Sequence, residues 1–459
     1  MYYNFYEIIT DYARLLTSFV RLNFEYSSMY LDALKITIEK NESFDQNLFY
    51  ESLANNLDNT LNKELRTKRF TSILSEYMNS LIDFREKLER YNIQISHYDE
   101  ALYQIKKLIF QLPSAIDIEC SATATPSEVV LKKGKIELLH YFTDKKNTIP
   151  LILVYAPINR FNLMDIKPNR SIVKNLISQG FDVHVIHWGY TGRQDDGLTL
   201  DDYENYLEEA ISAICQSHRI HKIPIVGYCW GGLLSVVYSA LYREKVESLT
   251  LMATPIDFNK ENSILSVWSK DLDLNRIINE FGHLDPLMLD TAFVMRNPFR
   301  NYEKYVNLLN KINDQTYVND FVTLEKWLHN IPPIAGTFYR QIINDCYKNN
   351  LLISKKMHVS GKLVNLEEID FPVLTAYAEK DDLISPESSL AISEYISSKD
   401  KKTVSIPSGH VGLIIGTSAH EKLWPEIGTW IKSKNTRRIE SKSDSKPENE
   451  SKKEGLVVA

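Results

Sequence analysis

Residues Ile225–Leu234 read IVGYCWGGLL: a short apolar run, then Gly227-Tyr228-Cys229-Trp230-Gly231, then the start of a helical pattern. This is the G-x-S-x-G nucleophile elbow with Cys in place of Ser. Small residues have a physical task in such a turn, because a sharp strand-to-helix reversal strains the backbone and leaves no space for neighbouring side chains. The thiol of Cys229 is thereby presented at a helix N-terminus, where the helix dipole favours a thiolate. The backbone N–H of Trp230 is then a candidate donor to an oxyanion.

Working outward, short β-rich runs alternate with helical stretches: LILVY (Leu151–Tyr155), DVHVIH (Asp182–His187), IPIV (Ile223–Val226), SLTLM (Ser248–Met252) and FPVLTAY (Phe371–Tyr377). Helical stretches such as Arg170–Ser178 and Tyr203–Ser217 lie between them, which predicts a mostly parallel sheet covered on both faces. Nucleophile, acid and histidine follow in the chain order of an α/β-hydrolase fold. After FPVLTAY comes AEKDDLISP, offering Asp381 or Asp382; after the run Thr403–Ile406 comes PSGHVG, with His410 between glycines. Any one of these residues has an ordinary structural reading; jointly, in the right order and contexts, they predict a catalytic triad.

The resulting organisation is a helical region over residues 1–118, a first core segment over 119–256, a helical cap or lid over 257–369, a second core segment over 370–432, and a disordered polar tail over 433–459. Residues 1–118 contain no Gly and one Pro, and carry apolar stripes such as Leu74, Met78, Leu81, Phe84, Leu88 and Tyr91. The aromatics of 257–369, among them Trp268, Phe281, Phe293, Phe299, Trp327 and Phe338, are expected mainly as that segment's own core, with a role in shielding the thiol from water.

Composition narrows the function. The 459 residues carry 53 Lys plus Arg against 60 Asp plus Glu, a net charge of −7, which gives no sign of nucleic-acid binding. Four cysteines without a C-x-x-C pair indicate neither a disulfide framework nor a zinc site, and no apolar run reaches the roughly 20 residues needed to span a bilayer. No metal or bound cofactor is expected, and a cytoplasmic location is.

The stretch Thr125–Pro255, with the phrases TPSEVVLKKGKIELLHY, PLILVYAPINRFNLMDIKPNRSIVKNLISQGFDVHVIHWGY, LTLDDY and IVGYCWGG, resembles the catalytic subunit of polyhydroxyalkanoate synthases, most closely the class III type. The resemblance resumes at FPVLTAYAEKDDLISP and SGHVGLIIG. It departs at His187, where the family generally has Asp, and at Leu383, where many members have His. The resemblance implies an acyltransferase that polymerises (R)-3-hydroxyacyl groups from coenzyme A thioesters, with Cys229 acylated, His410 as base and Asp382 as acid. Asp382 is preferred through the family's D-x-I-x-P phrase, and Asp381 is the alternative. The resemblance further implies a growing polyester chain as partner, location at polyester granules, and either an accessory subunit or a homodimer. A thiol suits this chemistry, since exchange between thioesters is nearly isoenergetic and keeps the acyl carbon activated. Backbone N–H groups of Trp230 and Ile158 are the expected oxyanion donors; Pro157 has none. The competing readings are a depolymerase or thioesterase with the same triad, and an inactive granule-associated protein.

Overall fold

The structure, a computed structural model, describes residues 123–143, 148–271, 274–284, 286–296, 314–328 and 331–435. The predicted N-terminal helices, together with Cys120, His97 and His329, lie outside them, as do residues 436–459 of the predicted tail. Ser433 and Lys434, also assigned to that tail, instead close a helix, because Trp430 and Ile431 carry its buried face to the end.

An eight-stranded sheet organises the core. Its strands are β1 (Ser127–Lys133), β2 (Ile136–Tyr141), β3 (Ile149–Val154), β4 (Phe181–His187), β5 (Ile223–Tyr228), β6 (Val246–Met252), β7 (Val373–Ala378) and β8 (Lys401–Ile406), in spatial order β1-β2-β4-β3-β5-β6-β7-β8. β1 and β2 form an antiparallel hairpin and β2 runs antiparallel to β4; every later pairing is parallel. Every residue of β3 and β5 is buried, as expected of a parallel sheet covered on both faces.

The helices follow from local signals. α1 (Ile172–Gln179) starts on Ser171, whose side chain accepts from Lys174 N, and stops at Gly180 in the left-handed region. α2 (Leu200–His218) opens with a reciprocal capping box between Thr199 and Asp202. α3 (Trp230–Leu241) begins directly after Cys229 and is buried along its first eleven residues. α2 packs on α3, and the final helix of the core packs on α1, giving two helical layers about the sheet.

β6 pairs with β7 in register although some 120 residues separate them in the chain, so everything between is an excursion from the sheet. That excursion contains α4 (Ile264–Asp271), α5 (Leu274–Phe281), α6 (Pro286–Arg296), α7 (Gln315–Leu328), α8 (Gly336–Gln341) and a π-helical turn, Ile342–Lys348. It reaches the carboxyl ends of the strands: the Phe338 ring stacks on Tyr203 at 4.1 Å, and Trp327 Nε1 donates to the Arg160 carbonyl at 2.9 Å. Trp268 and Phe293 are half-buried, while the side chains of Phe281 and Phe299 lie outside the described set. Among the described residues no helix is long and apolar enough to cross a membrane.

Candidate active site

Because β3 through β8 run parallel, their carboxyl ends share one edge, and the strand order reverses at β3, where the chain first leaves toward β4 and then returns to β5. Such a reversal opens a crevice in which α/β proteins bind ligands. Cys229 follows β5, Asp381 follows β7, His410 follows β8, and Tyr155–Ile158 follows β3.

Cys229 has φ 55° and ψ −126°, a conformation L-residues rarely adopt, and its backbone N–H donates to the Met252 carbonyl at 2.9 Å. The neighbouring glycines show why no other residue fits. A Cβ on Gly231 would stand 2.2 Å from the Val154 carbonyl oxygen, and one on Gly227 would stand 2.6 Å from Gly232 Cα. The elbow is thus pressed onto the end of β3, so that the Trp230 amide and the loop carrying Ile158 lie on the same edge.

His410 Nδ1 and Asp381 Oδ2 are 2.8 Å apart, and both side chains are buried. Burial alone would disfavour a charged imidazole, but the Asp381 carboxylate and Cys229 outweigh it and push the His410 pKa up to about 10. Cys229 also raises the pKa of the ring, so His410 responds to both sulfur and carboxylate. Thiol, imidazole and carboxylate, far apart in sequence, converge here.

The resemblance points to Asp382 as the acid, whereas in the structure it is Asp381 that lies against His410. Asp381 Oδ1 accepts from the N–H groups of Leu383 and Ile384, at 2.9 and 3.0 Å, closing a tight turn that aims Oδ2 at His410. The next side chain is thrown the other way, and Asp382 Oδ2 lies 3.6 Å from Arg296 Nε at the end of α6. Two consecutive acids therefore serve different neighbours.

Tyr228 and Tyr347, which the sequence pattern does not single out for a shielding role, join Phe338 in an aromatic wall around the thiol. The Tyr228 hydroxyl donates to the His410 carbonyl at 3.2 Å, and its ring centroid lies 4.9 Å from the imidazole. Trp230 Nε1 donates to the Tyr347 hydroxyl at 3.1 Å, tying the elbow to the π-helical turn of the excursion. Tyr228 was visible as part of the elbow phrase, but Tyr347 lies in a stretch with no motif. Complete burial holds both phenols well above their ordinary pKa, so they act as neutral hydroxyls. His187 does not enter this cluster; its Nδ1 lies 3.4 Å from Glu137. Among the described residues no group of His, Cys, Asp and Glu has the arrangement of a metal site.

A family profile described as "alpha/beta hydrolase fold" matches residues 163–417, more than half the chain. A second, described as "Poly-beta-hydroxybutyrate polymerase (PhaC) N-terminus", matches residues 96–176. The chain is 35% identical over 338 residues to the poly(3-hydroxyalkanoate) polymerase subunit PhaC of Haloferax mediterranei, covering 72% of this chain and 68% of that one. It is 33% identical to the protein of that name from Allochromatium vinosum, covering 72% of this chain and 96% of the relative. With an eight-stranded sheet of this topology and a Cys elbow facing His410, the chain belongs to the PhaC family of poly(3-hydroxyalkanoate) polymerase subunits, built on the α/β-hydrolase fold.

Proposed function

We propose that this chain polymerises (R)-3-hydroxyacyl groups from their coenzyme A thioesters through a covalent thioester on Cys229. One observation carries the reading: a cysteine at a strained elbow shares a buried imidazole with Asp381, in a chain whose relatives bear the polymerase name. The Cys229 thiolate attacks the thioester carbonyl, and the N–H groups of Trp230 and Ile158 receive the oxyanion. Collapse expels CoA, which leaves as a thiol with the proton from His410. The 3-hydroxyl of an incoming acyl-CoA then loses its proton to His410 and attacks the Cys229-bound acyl carbon, forming an ester and freeing the sulfur. The lengthened chain, now a CoA thioester, acylates Cys229 again and releases a second CoA. Asp381 keeps the ring oriented and balances its charge.

Water must lose to an alcohol as acceptor, and the aromatic wall of Trp230, Tyr347 and Phe338 supports that outcome by drying the thioester. The relatives are named as subunits, which favours an accessory polypeptide as partner, and an insoluble product favours action at a granule surface. The test supplies 3-hydroxybutyryl-CoA to the purified chain and to Cys229→Ala, each with and without an accessory synthase subunit. Insoluble polyester from the first alone is expected. Soluble 3-hydroxybutyrate as the sole product would convert the reading to a thioesterase.

A further inference from the structure

A second carboxyl group lies buried behind the first. Glu261, in the loop that follows β6, is 3% exposed and belongs to neither the elbow nor the histidine loop. Its Oε2 accepts from the Ser385 amide at 2.9 Å and lies 3.3 Å from Ser385 Oγ; its Oε1 accepts from the Ser263 amide at 3.1 Å. Ser385 Oγ also stands 2.9 Å from the Lys260 carbonyl, so both residues of Lys260–Glu261 grip it.

Ser385 ends the turn that Asp381 begins. Asp381 Oδ1 holds the amides of Leu383 and Ile384, and Glu261 holds the next amide, that of Ser385, before helix α9 (Pro386–Leu390) starts on the same serine. The three consecutive N–H groups of this loop are thus fixed by two carboxyl groups, one facing His410 and one behind. Without the rear carboxyl group the Ser385 amide would be buried with no acceptor, and the turn would shift to find one. The approach of Asp381 Oδ2 to His410 Nδ1 depends on that turn.

We propose that Glu261 is a positioning residue which, by clamping Ser385, holds the Asp381 turn in the geometry that orients His410 toward Cys229. This rests on the thiol–imidazole–carboxylate reading given above. Glu261 also senses the cluster electrically: burial, with a contribution from Asp381, raises its pKa to about 7. Buried Tyr347, which receives the Trp230 indole N–H, feels the charge of Glu261 in turn.

The test measures the rate of iodoacetamide alkylation of Cys229 against pH, by peptide mass mapping, in the full chain and in Glu261→Ala, Glu261→Gln, Ser385→Ala and His410→Ala. Glu261→Ala should slow alkylation at neutral pH about tenfold, as a one-unit rise in the midpoint would. Glu261→Gln, whose amide oxygen can still accept from Ser385, should restore the original midpoint. Ser385→Ala, which keeps the amide hydrogen bond but not the hydroxyl, should move the midpoint the same way by less, and it decides the matter should Glu261→Ala fail to fold. A midpoint unmoved in folded Glu261→Ala, or in Ser385→Ala, overturns the proposal. An equal shift in Glu261→Gln overturns it as well, since charge and not the clamp would then be responsible. Alkylation of the unsubstituted chain that is indifferent to His410→Ala removes the triad itself and the proposal with it. A His410-dependent rate that Glu261→Ala leaves intact removes only the role of Glu261.

Discussion

Two histidine–aspartate pairs of nearly equal length occupy opposite ends of the sheet. His410 meets Asp381 at 2.8 Å beyond the carboxyl ends of β7 and β8, whereas His140 meets Asp182 at 2.7 Å near the amino end of β4. The second pair is the more populous: His218 Nε2 lies 3.3 Å from Asp182, and the His184 ring stacks on His140 at 4.8 Å. A short imidazole–carboxylate approach therefore occurs at both ends of the sheet. What separates the two is the third partner. His410 has a cysteine in a strained turn on its other side, while His140 has Glu128 of β1 at 3.3 Å on its other ring nitrogen, and the imidazoles around Asp182 stitch β2, β4 and α2 together.

Substitution at the chemical end should have the largest effect. Cys229→Ala and His410→Ala should each lower polymer formation by about a thousandfold or more, because the covalent route is removed, as a polymer assay will read. Asp381→Asn should cost about a hundredfold in the same assay, since the ring loses its orienting charge. Asp382→Asn should cost far less, a few-fold, by weakening the pairing with Arg296; a reversed order for these two acids would overturn the assignment made from the turn geometry.

His410 and His184 should also answer pH with opposite signs. The His410 pKa stands above its unfolded value, at about 10, so its contribution to stability is complete below about pH 6.5 and fades as pH rises toward 10. The His184 pKa is depressed to about 4, chiefly by burial, so the unfolded chain binds its proton first and stability falls as pH drops from about 6.5 toward 4. Denaturation curves across that range should show His410→Ala flattening the alkaline side and His184→Gln flattening the acid side. The smallest expected effect is Asp182→Asn, which should remove about 1 kcal/mol of stability and leave the alkylation rate of Cys229 unchanged.

The elbow was legible in the sequence because Gly227 and Gly231 stand where a Cβ would strike backbone, a constraint that admits few residues. The late acid was legible only as a pair. Asp381 and Asp382 are chemically identical neighbours, and which one turns inward depends on the amides of Leu383 and Ile384, hydrogen bonds that no motif encodes. The β1–β2 hairpin was not singled out in the sequence, although the two-residue turn Gly134-Lys135, with Gly134 at φ 59°, is what makes its pairing antiparallel. Tyr347 and Glu261 left no sequence signal because their importance lies in burial against the elbow and the acid turn, which composition and periodicity do not report.

The proposed polymerisation requires acyl groups to reside on the Cys229 sulfur. Its most direct test is a rapid quench of the chain with 3-hydroxybutyryl-CoA followed by mass mapping of the cysteine peptides. Hydroxyacyl additions in whole units are expected on the Cys229 peptide, with none on those of Cys215 or Cys346 and none in His410→Ala at the same early time. Polyester formed while the Cys229 peptide stays unmodified throughout would contradict it.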